Sequence, residues 1–212
     1  SKNRQGGSNA SELDKENNRA DILVANIHRP LRGCKSNADA EILDLEGLHP
    51  NSKQGTASSF PVLQNGKNFV KVGSHDEATK AKIVYGSKGM PVFHLCLDPH
   101  AEQFAIISPF LEVQQISHTE VLSLDLKRKV QQALDELYEK TNRTQFDLSN
   151  NIFIDENGHV WILDAQHCYV TDTRPTVENL LVPQDWDALR KKENDLLSRG
   201  IGTRGTLSEE DC

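Results

Sequence analysis

The chain has 212 residues, of which 36% are apolar, and its 31 acidic against 24 basic side chains give a formal charge of −7. That length suits one ordinary domain or two small lobes sharing a cleft, and the low apolar fraction leaves part of the chain uncovered by a core. No sustained Lys/Arg run points to a nucleic-acid backbone as partner, no apolar window approaches the roughly 18 residues of a membrane span, and Cys34, Cys96, Cys168 and Cys212 match no CxxC spacing, so they read as free thiols.

Residues 1 to about 35 are rich in Ser, Asn, Gly, Lys and Glu, with a short apolar interruption at Ile22-Leu23-Val24. This composition predicts a flexible polar tail, compatible with a targeting or secretion segment. Short apolar runs follow at Glu41–Leu45, Phe60–Leu63 and Phe69–Val72. Asn65-Gly66 between the last two is a hairpin signal, because its central residues must accept positive φ. Ser74 as N-cap, with Asp76 and Glu77 in the first turn, predicts a helix to about Tyr85. Strands are expected at Val92–Leu97 and Phe104–Ser108.

Leu122, Leu126, Val130, Ala133, Leu134 and Leu137 recur at three- and four-residue spacing and predict a long helix over about Thr119 to Lys140. Beyond it, Asp147-Leu-Ser-Asn-Asn151 runs into an apolar strand, Asn157-Gly158 turns the chain, and Val160-Trp-Ile-Leu leads to Asp164. A last helix is expected from Asp185 to about Ser198. The predicted class is α+β, with a small antiparallel sheet before residue 110 and a mainly helical remainder after it.

Phosphoryl transfer from a nucleotide needs a loop over the phosphates, a cation on them, oxygen ligands for Mg²⁺ and a group beside the attacking hydroxyl. The sequence offers residues for each part in order. Gly55, Thr56, Ala57, Ser58 and Ser59 are small enough for backbone N–H groups to approach phosphates, and Val62 follows them. Lys71 lies among apolar neighbours on the next strand, and Asp147, Asn151 and Asp164 supply carboxylates and an amide oxygen around a tight hairpin. His94, His159 and His167 fit no HxxxH or HExxH spacing and read as surface or core histidines, which leaves a zinc hydrolase without support.

The Asp147-to-Asn151 loop and the strand ending in Asp164 resemble the HRDLxxxxN loop and DFG aspartate of the protein-kinase superfamily. The resemblance covers roughly Glu41 to Val170. It implies a minimal bilobal kinase-like fold binding ATP with Mg²⁺ or Mn²⁺. In that likeness Asp147 serves the acceptor hydroxyl, Lys71 the phosphates, Glu77 (or Asp76) pairs Lys71, Asn151 and Asp164 hold metal, and Ser108 and Phe110 face the adenine.

Departures are plain: Gln145-Phe146 stand where the family has His-Arg, the loop is one residue shorter, and Ala165-Gln166 follow Asp164 instead of Phe-Gly. No APE motif follows, and 212 − 164 = 48 residues remain for everything beyond Asp164. Such reduction is similar to the minimal kinase effectors that pathogenic bacteria inject through type III secretion. One group of these phosphorylates the host chaperone HSP90 while imitating its clients, and another binds ubiquitin conjugates; stripped lobes suit the first. The resemblance therefore implies a monomeric Ser/Thr kinase delivered to the host cytoplasm. A pseudokinase-type binding module and a small-molecule kinase are the alternatives.

Overall fold

The computed structural model describes residues 8–29, 43–51, 60–116 and 121–203. The class is α+β, and among the described residues every strand pairing is antiparallel. The described residues fall into two compact units, one made of those up to Ala78 with Val92–Phe110, the other of Thr79–Pro91 and those from Leu111 on. Among the described residues no helix is long and apolar enough to cross a membrane.

In the first unit, β1 (His49–Pro50), β2 (Leu63–Gln64), β3 (Asn68–Ser74), β4 (Phe93–Asp98) and β5 (Gln103–Pro109) form one sheet in the order β1-β2-β3-β5-β4. The β2–β3 hairpin turns at Gly66 (φ 83°), and the Asn65 side-chain oxygen accepts from the Lys67 and Asn68 N–H groups, closing the turn. Val70, Val72, Leu95, Leu97, Ala105 and Ile107 alternate onto one face and are buried.

What covers this cluster corrects the expectation of an unordered tail. Residues Ser8–His28 form α1, and Ala20, Leu23 and Ile27, buried to 3%, 4% and 1% exposure, join the cluster with Val24. Spacing of three and four residues puts these side chains on one stripe, so a helix that is polar elsewhere still buries a narrow apolar seam. Leu45, from the apolar run at Glu41–Leu45, is also buried there; residues 43–45 form no strand, and residues 41 and 42 lie outside the described ones.

The helix expected after Ser74 is α2 (His75–Gly86), with the Ser74 hydroxyl accepting from Glu77 N–H at 3.2 Å. Its last two turns belong to the second unit. There, α3 (Leu124–Thr141) starts at the Ser123 cap, later than the expected Thr119, and residues 117–120 lie outside the described ones. It ends on Asn142 in the left-handed region (φ 54°), which turns the chain into β7 (Arg143–Gln145).

Three further strands, β6 (Val113–Gln115), β8 (Ile152–Asp155) and β9 (Val160–Ile162), make a second small sheet, and β10 (Cys168–Val170) pairs with β7. Val130 and Leu134 of α3 pack with Leu148, Ile152, Ile162 and with Val177 and Leu180 of α4 (Val177–Leu180). The last helix, α5 (Trp186–Ser198), is capped by Asp185 as expected.

Helix α5 is tied inward by charge. Glu193 meets Arg143 at 3.3 Å and Lys80 at 3.7 Å, accepts from the Val170 N–H at 2.8 Å, and all three side chains are nearly buried. Two cations around one carboxylate tolerate burial with help from the backbone: Arg143 also donates to the Cys168 and Thr203 carbonyls, although its buried Nε has no hydrogen-bond partner among the described residues.

Candidate active site

The second unit gathers Asp147, Asn151 and Asp164 around the β8–β9 hairpin. Asp147 precedes a 3-10 turn over Leu148–Asn150. Its carboxylate accepts from Asn150 Nδ2 at 2.9 Å and from Asn151 Nδ2 at 3.3 Å, and Asn151 Nδ2 also donates to the Asp147 carbonyl at 2.9 Å. An amide that commits its N–H₂ to Asp147 turns its oxygen elsewhere, and that oxygen is the atom a hard cation takes.

The hairpin then returns the chain: Asn151 O accepts from Leu163 N–H at 3.2 Å, so Asp164 follows directly beside the loop it left. Asp164 adopts φ 66°, ψ 77°, a region that is uncommon for a residue with a Cβ. Such conformations persist where surroundings over-determine them, and two groups do so here. Tyr85 of α2 accepts from the Asp164 and Ala165 N–H groups at 3.2 and 3.4 Å. Burial, then the nearby Asp164 charge, pushes the Tyr85 hydroxyl pKa upward, so it stays a neutral phenol.

The other group is Gln145, whose role the sequence did not disclose. Fully buried, it donates through Nε2 to the Leu163 and Asp164 carbonyls at 2.7 and 2.8 Å, and its Oε1 accepts from the Asp147 N–H at 2.9 Å. One amide thus fixes both aspartates through their backbones. The residue read only as a departure from His is a clamp, because Gln alone among uncharged side chains combines two N–H donors with an acceptor at that reach.

His167 also belongs here, contrary to its reading as a surface or core histidine. One carboxylate oxygen from each of Asp147 and Asp164 and one ring nitrogen of His167 lie within 4.8 Å of one another. His167 Nε2 is 3.5 Å from Asp164 Oδ2, and its ring packs on Trp186 with centroids 4.9 Å apart. The sequence signal was weak: a histidine three residues after an aspartate faces it only once a 3-10 turn, Ala165–His167, is known. His159 is instead largely exposed beside Asp155, and His94 is buried against Phe104 in the first unit.

Nearby, Lys88 donates to the Ile162 carbonyl at 2.7 Å, and burial lowers its pKa to about 8. The Cys168 thiol pKa is pushed up to about 12, chiefly by burial, so the side chain is a neutral thiol at neutral pH. A surface groove of about 360 Å³ along α3 and α4, lined by Leu124, Lys127 and Val177 among others, includes none of these groups.

The remaining sequence candidates among the described residues belong to the first unit. Lys71 stands on β3 opposite Ile106, and Ser108 on β5 opposite Phe69. Val62 is buried before β2, and Phe110 N–H bonds to the Lys67 carbonyl. Glu77 lies over Gly73: a Cβ there would come within 2.5 Å of Glu77 Oε2. Gly73 and Lys71 are two apart on one strand and share a face, so Glu77 covers the face that carries Lys71. Gly55, Thr56, Ala57, Ser58 and Ser59 lie outside the described residues.

No protein-family model, curated protein or solved structure gives a match to this chain.

Proposed function

We propose that the chain is an ATP- and divalent-metal-dependent phosphotransferase acting on hydroxyl side chains. The observation that carries this reading is the approach of the Asp147 and Asp164 carboxylates to within 4.8 Å of each other, with Asn151 bonded to Asp147 and a single buried amide, Gln145, bonded to the backbone of both aspartates. A bound cation would neutralise charge developing on the transferred phosphoryl group. Asp164 and Asn151 are the residues that would hold it, and carboxylate with amide oxygen suits Mg²⁺ or Mn²⁺.

Asp147 serves the acceptor. Its carboxylate is held by two asparagine amides, so it points one oriented acceptor at an incoming hydroxyl and takes up that proton. The backbone at Asp164 is set before substrate arrives, which is what positioning catalysis needs. On the first unit, Lys71 would bind phosphate oxygens, with Glu77 over the same face orienting it.

The finer reading rests on the resemblance to injected bacterial effectors. The acceptor is a Ser/Thr of a host protein, HSP90 being the one to try first, and the protein acts in the host cytoplasm as a virulence factor that dampens immunity. Incubation with γ-labelled ATP tests this with three acceptor sets: HSP90 and other proteins, aminoglycosides and choline, and none. Label on protein Ser/Thr is the expected result. Label only on small molecules would make it a small-molecule kinase, and no label anywhere would leave a binding module.

A further inference from the structure

Within this proposed metal site, the structure assigns His167 a task that the protein-kinase resemblance does not give it. We infer that its imidazole nitrogen ligates the cation beside the Asp164 carboxylate, with Asp147 closing the set, and that the site consequently prefers Mn²⁺ to Mg²⁺. The inference rests on the phosphotransferase reading only for what the metal does, not for its binding.

The geometry is suitable for an ion. At metal–ligand distances of about 2.1 Å, octahedral ligands stand about 3.0 Å apart when adjacent and about 4.2 Å when opposite. The separation of His167 Nε2 from Asp164 Oδ2 is 3.5 Å, and the three donor atoms span no more than 4.8 Å, so small side-chain movements close them on one ion. All three residues are half-buried, which keeps the site reachable while reducing competition from water.

The ring is also held in place. A ligating histidine is usually oriented by a hydrogen bond from its other nitrogen. Here Nδ1 is buried with no hydrogen-bond partner among the described residues, and the Trp186 ring, tilted 44° at 4.9 Å, performs the orienting role. Trp186 is the first residue of α5, whose Glu193 is bonded to Arg143 and Lys80, so the helix that presents it is fixed.

Donor chemistry gives the selectivity. Mg²⁺ favours an all-oxygen octahedron and sheds water reluctantly, whereas a nitrogen donor raises affinity for first-row transition ions. Two carboxylates and one imidazole therefore favour Mn²⁺. An exclusively oxygen site would not.

Mn²⁺ alone, without nucleotide, is the probe. Electron spin-echo modulation of Mn²⁺ bound to the wild-type chain should show coupling to a ¹⁴N nucleus, which needs no variant. Titration followed by the free-Mn²⁺ resonance should give at least about tenfold weaker binding for His167→Phe, which keeps a ring against Trp186 but has no donor. His167→Gln should retain a cation but lose the preference for Mn²⁺ over Mg²⁺ in competition. Absence of ¹⁴N coupling, or unchanged Mn²⁺ affinity in a folded His167→Phe, would overturn the inference. If that happens while ATP-dependent transfer persists, the phosphotransferase reading stands alone; nitrogen coupling without any transfer would leave the metal site and remove that reading.

Discussion

Replacing Gln145 with leucine isolates the clamp, because Leu fills nearly the same volume but can neither donate nor accept. The change leaves the Leu163 and Asp164 carbonyls and the Asp147 N–H without bonds of 2.7, 2.8 and 2.9 Å. An abandoned buried polar group costs about 1–3 kcal/mol. The three residues concerned are half-buried, so water can relieve part of the loss, and the lower end applies. The Asp164 carbonyl still accepts from the His167 N–H at 3.3 Å, so two groups are abandoned and the expected destabilisation is about 2 kcal/mol in total, within the roughly 5–15 kcal/mol of an ordinary domain, and the variant should still fold. Both aspartates lose their shared anchor, and a displacement of about 1 Å at a reacting group is worth about 10²-fold in rate. Urea denaturation would measure the first quantity and transfer from γ-labelled ATP the second. A Gln145→Leu protein that loses less than about 1 kcal/mol and keeps wild-type transfer would refute the clamp.

Gly73→Ala places a methyl group where Glu77 Oε2 and Ile106 Cδ1 now lie, at 2.5 and 2.9 Å. Both are mobile ends of side chains, so the cost to stability should stay within about 1–3 kcal/mol while transfer falls with Glu77 displaced, as assays beside Glu77→Ala would reveal. Ile27→Ala should cost about 2–5 kcal/mol, since α1 buries that side chain to 1% exposure; calorimetry giving no change would mean the helix contributes little to the first unit. Lys88 has its pKa lowered from 10.5 to about 8 by burial, so between those values the unfolded chain binds more protons than the folded one. Stability should accordingly rise with pH across that window, and Lys88→Met should remove this part of the slope in denaturation curves recorded from pH 7 to 11.

The parts legible in the sequence are those fixed by neighbours along the chain. Asn65-Gly66 and Asn157-Gly158 make hairpins because the turn residues themselves carry the geometry, and Ser74 and Asp185 begin helices because a cap needs only the next three residues. The approach of Asp164 to Asp147 follows from the second of these hairpins. What stayed hidden depends on distant partners. Ala20, Leu23 and Ile27 form too narrow a stripe to outweigh the polar residues around them until the sheet they cover is known. Gln145 reads as an ordinary polar residue until β9 brings the Leu163 and Asp164 carbonyls to it, 18 and 19 positions away. His167 needed the 3-10 turn after a left-handed Asp164, a conformation that no residue pattern announces. Nothing next to Glu193 in the sequence marks it, because its charged partners lie 50 and more positions upstream.

Transfer of the γ-phosphoryl group by Asp147→Ala and Asp164→Ala, measured together with nucleotide binding, tests the phosphotransferase reading most directly. Asp164→Ala removes the carboxylate proposed to hold the cation, and transfer should fall by at least about 10³-fold, equivalent to roughly 4 kcal/mol of transition-state stabilisation. Asp147→Ala should lower turnover at least as severely, because it removes both the group proposed to take up the acceptor proton and the oxygen that closes the cation's ligand set. Near-normal transfer by both variants, each folded by circular dichroism, would contradict the account.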